Sequence, residues 1–221
     1  MTVKLLGVPY DAHSSFLRGP ALAPSAIRAA LTCGSANWCS ESGLDLDPEV
    51  ICDWIDIGDV DVPDAGPDAV EAIRVLDGDR YSHACPFARI MEAGKVSRLI
   101  QFGIRTMNPH QREQADRFGV EVHEFRDWDG SVSPLSGPVY VTIDLDALDP
   151  AFAPGVSHHE PGGLSTRQLL DAIRQIGASD AVVVGADVVE LNPTRDVNDV
   201  TAMVAAKLVR ELLGLLIESA S

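Results

Sequence analysis

Positive charge is scarce in this chain. Lys and Arg number 17 against 33 Asp and Glu in 221 residues, a formal charge of −16 at pH 7. Nucleic acids and anionic membranes need a basic face that displaces counterions, so this balance argues against both as partners. An acidic field is compatible with a small cationic ligand, such as a guanidinium compound or a divalent metal, although acidic surfaces also serve solubility. Cysteine is sparse as well. Cys33, Cys39, Cys52 and Cys85 form no C-x-x-C pair and no disulfide framework, so reduced thiols are expected. No apolar run approaches the ~18 residues of a membrane span, and MTVK leads into an apolar strand without a signal-type segment. The expectation is a cytoplasmic chain. What it does have is 46% hydrophobic residues, over a length that suits one domain with a sizeable core.

Apolar runs of strand length alternate with helical patterns, and neither an internal repeat nor a low-complexity linker interrupts them. VKLLGVPY, VICDWIDIGDV, RLIQFGIR, VEVHEF, VYVTIDLD and AVVVGADVVEL read as strands. SAIRAAL reads as a helix capped by Ser25 after Pro24, and DAVEAIR opens another helix at Asp68. SHACPFARIMEAGK reads as a loop entering a helix, and PHQREQADRFG as a helix. LSTRQLLDAIRQIG sets Leu169, Leu170, Ile173 and Ile176 at helical spacing, and VTAMVAAKLVRELLGLLIES closes the chain as a long helix. This alternation implies an α/β fold with a parallel sheet wound by helices.

The run TIDLDALDPAFAPGVSHHEPGG, Thr142 to Gly163, carries the chemistry. Val139, Val141, Ile143 and Leu145 are strand formers, and the turn-forming pair Asp149-Pro150 closes the strand. Residues two apart on a strand share a face, so Asp144 and Asp146 are expected to point the same way. Two like charges there need a cation to offset their repulsion. The carboxyl end of a parallel strand is where open α/β sheets place their ligands, which makes a bound metal the natural candidate. A solvated strand end before an Asp-Pro turn would account for Asp149, but not for the spacing of the whole run.

T-I-D-L-D-x-x-x-P-x-x-x-P-G, followed by Gly162 and Gly163, resembles the metal-binding signature of the ureohydrolases, the arginase and agmatinase family. LLGVPYDAHSSFLRGPALAPSAIR, SHACPFARIMEAG and QFGIR are similar to the same family in order. GVSHHEPGGLS, VVGADVVELNPTRD and VTAMVAAKLVREL resemble its plant-type arginase branch. The resemblance implies a three-layer α/β/α sandwich, arginase-like, with eight parallel strands in the order 2-1-3-8-7-4-5-6. It implies two Mn2+ ions, a small guanidino substrate (arginine before agmatine) cleaved to urea and an amine, and a homo-oligomer, trimer or hexamer. Hard carboxylates and imidazoles suit Mn2+, and a two-metal site activates water near neutral pH.

The same resemblance assigns Asp144 as a carboxylate bridging both metals and Asp146 as a ligand of one. The other four ligands, two His and two Asp, belong to segments G-G-D-H-S and D-A-H-x-D, and neither occurs in this sequence. The helix opening at Asp68 would then be interrupted, with a join near Arg74 and Val75. Roughly fifty to sixty residues, about two strands and their crossovers, would be absent from a single domain spanning 1–221. Loss of the third and fourth strands would open two gaps inside the sheet.

His83 matches the family's proton-shuttling His, where a neutral-range pKa suits the work; a structural hydrogen bond in its loop is the plainer role. Glu190 matches the carboxylate that pairs with the substrate guanidinium, against a capping or salt-bridged Glu. Asn108 follows QFGIRTM at a strand end, a position from which it could touch the far end of the substrate. His158 and His159 read as solvent-exposed loop histidines, and Cys85 as a small apolar filler or a reactive thiol. Three accounts of the chain follow: an incomplete form of a plant-type ureohydrolase, a catalytically dead homologue acting as a binding or assembly subunit, or an unrelated α/β binding module.

Overall fold

A computed structural model describes residues 2–14, 16–61 and 86–220. His83, Cys85, the helix opening at Asp68 and the join near Arg74 lie outside the described residues. Six strands are present among those described: β1 (Val3–Gly7), β2 (Trp54–Asp59), β3 (Ile100–Ile104), β4 (Glu121–Glu124), β5 (Ser136–Asp144) and β6 (Asp180–Val189). The helices are α1 (Ala23–Leu31), α2 (Pro86–Glu92), α3 (Pro109–Phe118), α4 (Thr166–Gly177) and α5 (Val200–Ser219).

α5 is the centre of the core. Thr201, Ala202, Ala205, Ala206, Leu208, Val209, Leu212, Leu213 and Leu215 are buried, so apolar and small residues face inward on most sides, as a helix inside a domain requires. α1, α4 and β6 pack on it. Its first turn is satisfied from outside the helix. Both carboxylate oxygens of Asp196 accept backbone N–H groups there, from Thr201 at 3.0 Å and Ala202 at 2.9 Å. α1 begins two residues earlier than the sequence pattern suggests, because Pro24 occupies its first turn. Ser25 donates to the Leu22 carbonyl instead of capping. α3 and α4 open with capping boxes, Asn108 with Gln111 and Ser165 with Gln168.

The strands form three separate parallel pairs, β1 with β2, β3 with β4 and β5 with β6. These are the pairs that remain when the third and fourth strands are taken out of the order 2-1-3-8-7-4-5-6, so the described fold is an arginase-like α/β fold lacking two central strands. The gaps stay open. A cleft of about 530 Å³ lies between β1 and β6, lined by Leu5 and Gly7 on one side and Ala186 and Val188 on the other. Strand side chains alternate between core and solvent: Val141, Ile143 and Val183 are buried, whereas Leu6, Ile55, Ile57, Val182 and Val184 are about half exposed.

Open parallel edges and exposed apolar rows are templates for association. The isolated chain is therefore expected to show concentration-dependent association in size-exclusion chromatography with light scattering. A single monodisperse monomer with one cooperative thermal transition would overturn this.

Candidate metal centre

From Val139 to Asp144, β5 follows the expected alternation. Val141 and Ile143 enter the core, while Thr142 and Asp144 face outward. The strand ends at Asp144, and Leu145–Ala147 form a 3-10 turn. Asp146 thus lies beyond the strand, so the 3-10 turn and not strand alternation sets its direction, and the Asp144 charge remains close enough to act on its carboxyl. The Asp144 carboxylate accepts the Asp146 backbone N–H at 2.8 Å, which initiates the turn and carries the Asp146 side chain to a half-buried position.

Two clamps return the following loop to this point. The Asp149 carboxylate accepts N–H groups from Ala151 at 2.9 Å and Gly162 at 2.7 Å, closing the loop on itself. Gly163 must be glycine there, since a Cβ would lie 2.7 Å from the Asp149 backbone nitrogen. Asn192, fully buried just past β6, donates to the Ser157 hydroxyl at 3.0 Å and the Arg18 carbonyl at 3.2 Å, while its own N–H donates to the Gly155 carbonyl at 2.7 Å. These bonds tie residues 155–157 to the end of β6. Ser157 precedes His158, and Asn192 follows Glu190 by two residues, so the two clamps bring His158 and Glu190 together.

The result is a cluster at the carboxyl ends of β5 and β6. One ligand atom each of Asp146, His158 and Glu190 lies within 4.8 Å of the other two. His158 Nδ1 is 3.6 Å from Asp146 Oδ2, and its ring is also tilted against Phe16 with centroids 5.8 Å apart. Glu190 has φ 69°, a left-handed conformation unusual for a residue with a side chain. Arg105, at the end of β3, donates to the Asp146 and Ala147 carbonyls and so fixes the 3-10 turn. Sequence reasoning missed this role; the only signal was an Arg closing the predicted strand RLIQFGIR. His158, expected as a solvated loop residue, is 42% exposed but faces Asp146.

Other site expectations fall elsewhere. The Asn108 carboxamide accepts the Gln111 backbone N–H at 2.8 Å in the capping box of α3, and Asn108 is not part of the cluster. His159 pairs its Nε2 with the Pro154 carbonyl at 2.8 Å. Cys33, Cys39 and Cys52 are free thiols.

Burial, then the charges of Asp144 and Glu190, push the Asp146 carboxyl up to about 8 against the opposing pull of Arg105. The ordinary value is 3.8, so between these values the unfolded chain has released the proton while the folded chain keeps it. Unfolding is therefore favoured progressively as pH rises through that window, and the full penalty is reached near pH 8. The carboxylates Glu41 and Asp56, held low chiefly by hydrogen bonds from Arg167 and Arg28, act below this range with the opposite sign. With chelator present, the Tm is expected to fall between pH 5 and pH 8, and Asp146→Asn is expected to flatten that slope. An unchanged slope in the variant would overturn the assignment.

The chain's similarities agree with this architecture. The Arginase family profile matches residues 1–77 and 64–214. Arginase 1, mitochondrial, of Arabidopsis thaliana is 41% identical over 276 aligned residues, covering 96% of this chain and 80% of that protein. An agmatinase of Bacillus cereus is 40% identical over 141 residues, covering 62% of this chain and 49% of that protein. The solved arginase from Medicago truncatula superposes with a TM-score of 0.81 at 37% identity, covering 97% of this chain and 87% of that one. With a family match along most of its length and a relative this similar across 96% of it, the chain belongs to the arginase family.

Proposed function

We propose that this chain derives from a manganese-dependent ureohydrolase that cleaves a guanidino substrate, arginine in preference to agmatine, to urea and an amine, and that the 221 residues as they stand are inactive. The observation that carries the reading is the coexistence of the strand-end run Asp144–Asp146 with the absence of both G-G-D-H-S and D-A-H-x-D from the sequence. Two further facts support it. The family profile matches in two pieces that overlap at 64–77, where the sequence places its join. The alignment to the Arabidopsis arginase is longer than the chain itself, as an internal gap requires.

The residues present do not fit a two-manganese centre. Asp144 and Asp146 supply two of the six expected ligands, and Asp144 Oδ1 already accepts the Asp146 N–H. Two carboxylates leave most of each coordination shell to water, which is a weak site. What the remaining residues can do is hold cationic groups. Glu190 and Asp146 present acidic side chains in one strand-end cluster, and a planar guanidinium favours such carboxylate partners. The preference for arginine follows from the likeness to plant arginases, and a homo-oligomer is part of the same proposal.

The test is the reading frame around Arg74 together with a urea assay. A frame in the gene that carries the two missing segments supports an incomplete record of an active enzyme. A clean in-frame junction with measurable urea release from this chain would overturn the proposal.

A further inference from the structure

Asp146, His158 and Glu190 converge in a way that the family-derived roles do not use. Two donors on one ion at about 2.1 Å are about 3.0 to 3.6 Å apart when the bond angle is about 90 to 120°. The 3.6 Å between His158 Nδ1 and Asp146 Oδ2 already has that span, and the 4.8 Å limit on the whole cluster leaves Glu190 within side-chain rotation of it. A second observation is independent of the distances. Asp146 Oδ1, the carboxyl oxygen other than the one nearest His158, is buried and has no hydrogen-bond partner, an arrangement that costs free energy unless the carboxyl holds a proton or a cation. The cluster is also held by built structure. Asp149 closes the His158 loop, Asn192 ties that loop to β6, and Glu190 is kept in a left-handed backbone conformation that only a fixed surrounding sustains.

We propose that this chain holds one divalent first-row transition-metal ion on Asp146, His158 and Glu190, in place of the two-ion centre that the family resemblance implies. The proposal rests on the reading that the two-ion centre does not assemble in this chain. One imidazole and two carboxylates form a mixed nitrogen and oxygen donor set, and such sites bind Co2+ and Zn2+ more tightly than Mn2+. Glu190 is then a metal ligand and no longer faces a guanidinium, so the short chain is a metal-binding protein built on a ureohydrolase frame.

Equilibrium dialysis of the full 221-residue chain against Zn2+ and Co2+ tests this directly. The expected result is one ion per chain, with Zn2+ and Co2+ held more tightly than Mn2+. Asp146→Asn, His158→Gln and Glu190→Gln should each weaken binding by about tenfold or more, whereas His159→Gln should leave it unchanged and Asp144→Asn should weaken it less than Asp146→Asn. Electron spin-echo spectra of the Mn2+-loaded chain should show nitrogen coupling from the imidazole. That measurement uses the unaltered protein, so it stands even where a variant fails to fold. Two ions per chain, no binding above a nonspecific level, no nitrogen coupling, or binding unaffected by His158→Gln and Glu190→Gln would each overturn the proposal. Urea release would overturn the preceding functional reading, while the dialysis result decides this one.

Discussion

Incubated with arginine or agmatine and added manganese, the 221-residue chain is expected to release urea no faster than the uncatalysed reaction. A ureohydrolase that works through a metal pair draws both its activated water and its charge stabilisation from those ions. Here Asp144 and Asp146 are the only two residues of the expected ligand set in the sequence. The turn geometry already commits Asp144 Oδ1 to a backbone N–H. One ion held by Asp146, His158 and Glu190 would not restore the pair, and it would occupy the carboxylate assigned to the substrate. The loss is therefore of the whole enzymatic acceleration, on the order of 10⁶-fold or more, and not of a partial factor. The assay is colorimetric urea detection after long incubation at high enzyme concentration, with an intact arginase as the control. Turnover near an ordinary enzyme's roughly 10 per second would show that the missing segments are dispensable.

Local patterns made most of the fold legible. α5 occupies the residues its sequence pattern marks, because the run from Val200 to Ser219 is apolar on most sides and holds neither Pro nor a turn signal. Each strand was visible from its apolar residues, although β1 and β2 are shorter than their runs. The site was less legible. Strand periodicity extends Asp144 and Asp146 along one face, but it carries no information on where a strand gives way to a 3-10 turn. That depends on a side-chain bond from Asp144 to its own backbone two residues on. His158 was legible only as a loop residue because what aims it at Asp146 is remote: Asn192 lies far along the chain and acts through Ser157. The capping role of Asn108 had a signal in the sequence, Asn followed three residues later by Gln, which competed with the substrate role read from its place at a strand end.

The three strand pairs show which interactions suffice for local order. β5 and β6 share a nine-residue register, and β6 packs against α5. Their outer edges still carry the N–H and C=O groups that a central sheet strand would use. In a parallel sheet those groups are ordinarily buried and paired on both sides. The cleft between β1 and β6 is thus the counterpart, in space, of the break in the family match along the chain.

Restoring a segment that carries G-G-D-H-S and D-A-H-x-D between Arg74 and Val75 is expected to return two-manganese binding and urea release. It should also reverse the order of the aspartate effects. In the short chain, Asp146 takes part in the three-residue cluster and Asp144 does not, so Asp146→Asn is the more damaging change to metal binding. In the restored chain, the resemblance makes Asp144 the bridge between both ions and Asp146 a ligand of one, so Asp144→Asn becomes the worse of the two. Glu190 changes in the same sense. Glu190→Gln should weaken metal binding in the short chain, yet in the restored chain it should keep both ions and lose activity, because it removes a charge that pairs with the guanidinium. His83→Asn in the restored chain should keep metal and substrate binding and lower turnover by about 10² to 10⁴ if it carries the proton. Metal counting by mass spectrometry of the desalted protein, with steady-state kinetics on the same preparations, reads all four variants. If Asp144→Asn kept both ions in the restored chain while Glu190→Gln lost them, the roles assigned by resemblance would be wrong, and the three-residue cluster would be the metal site in both forms of the protein.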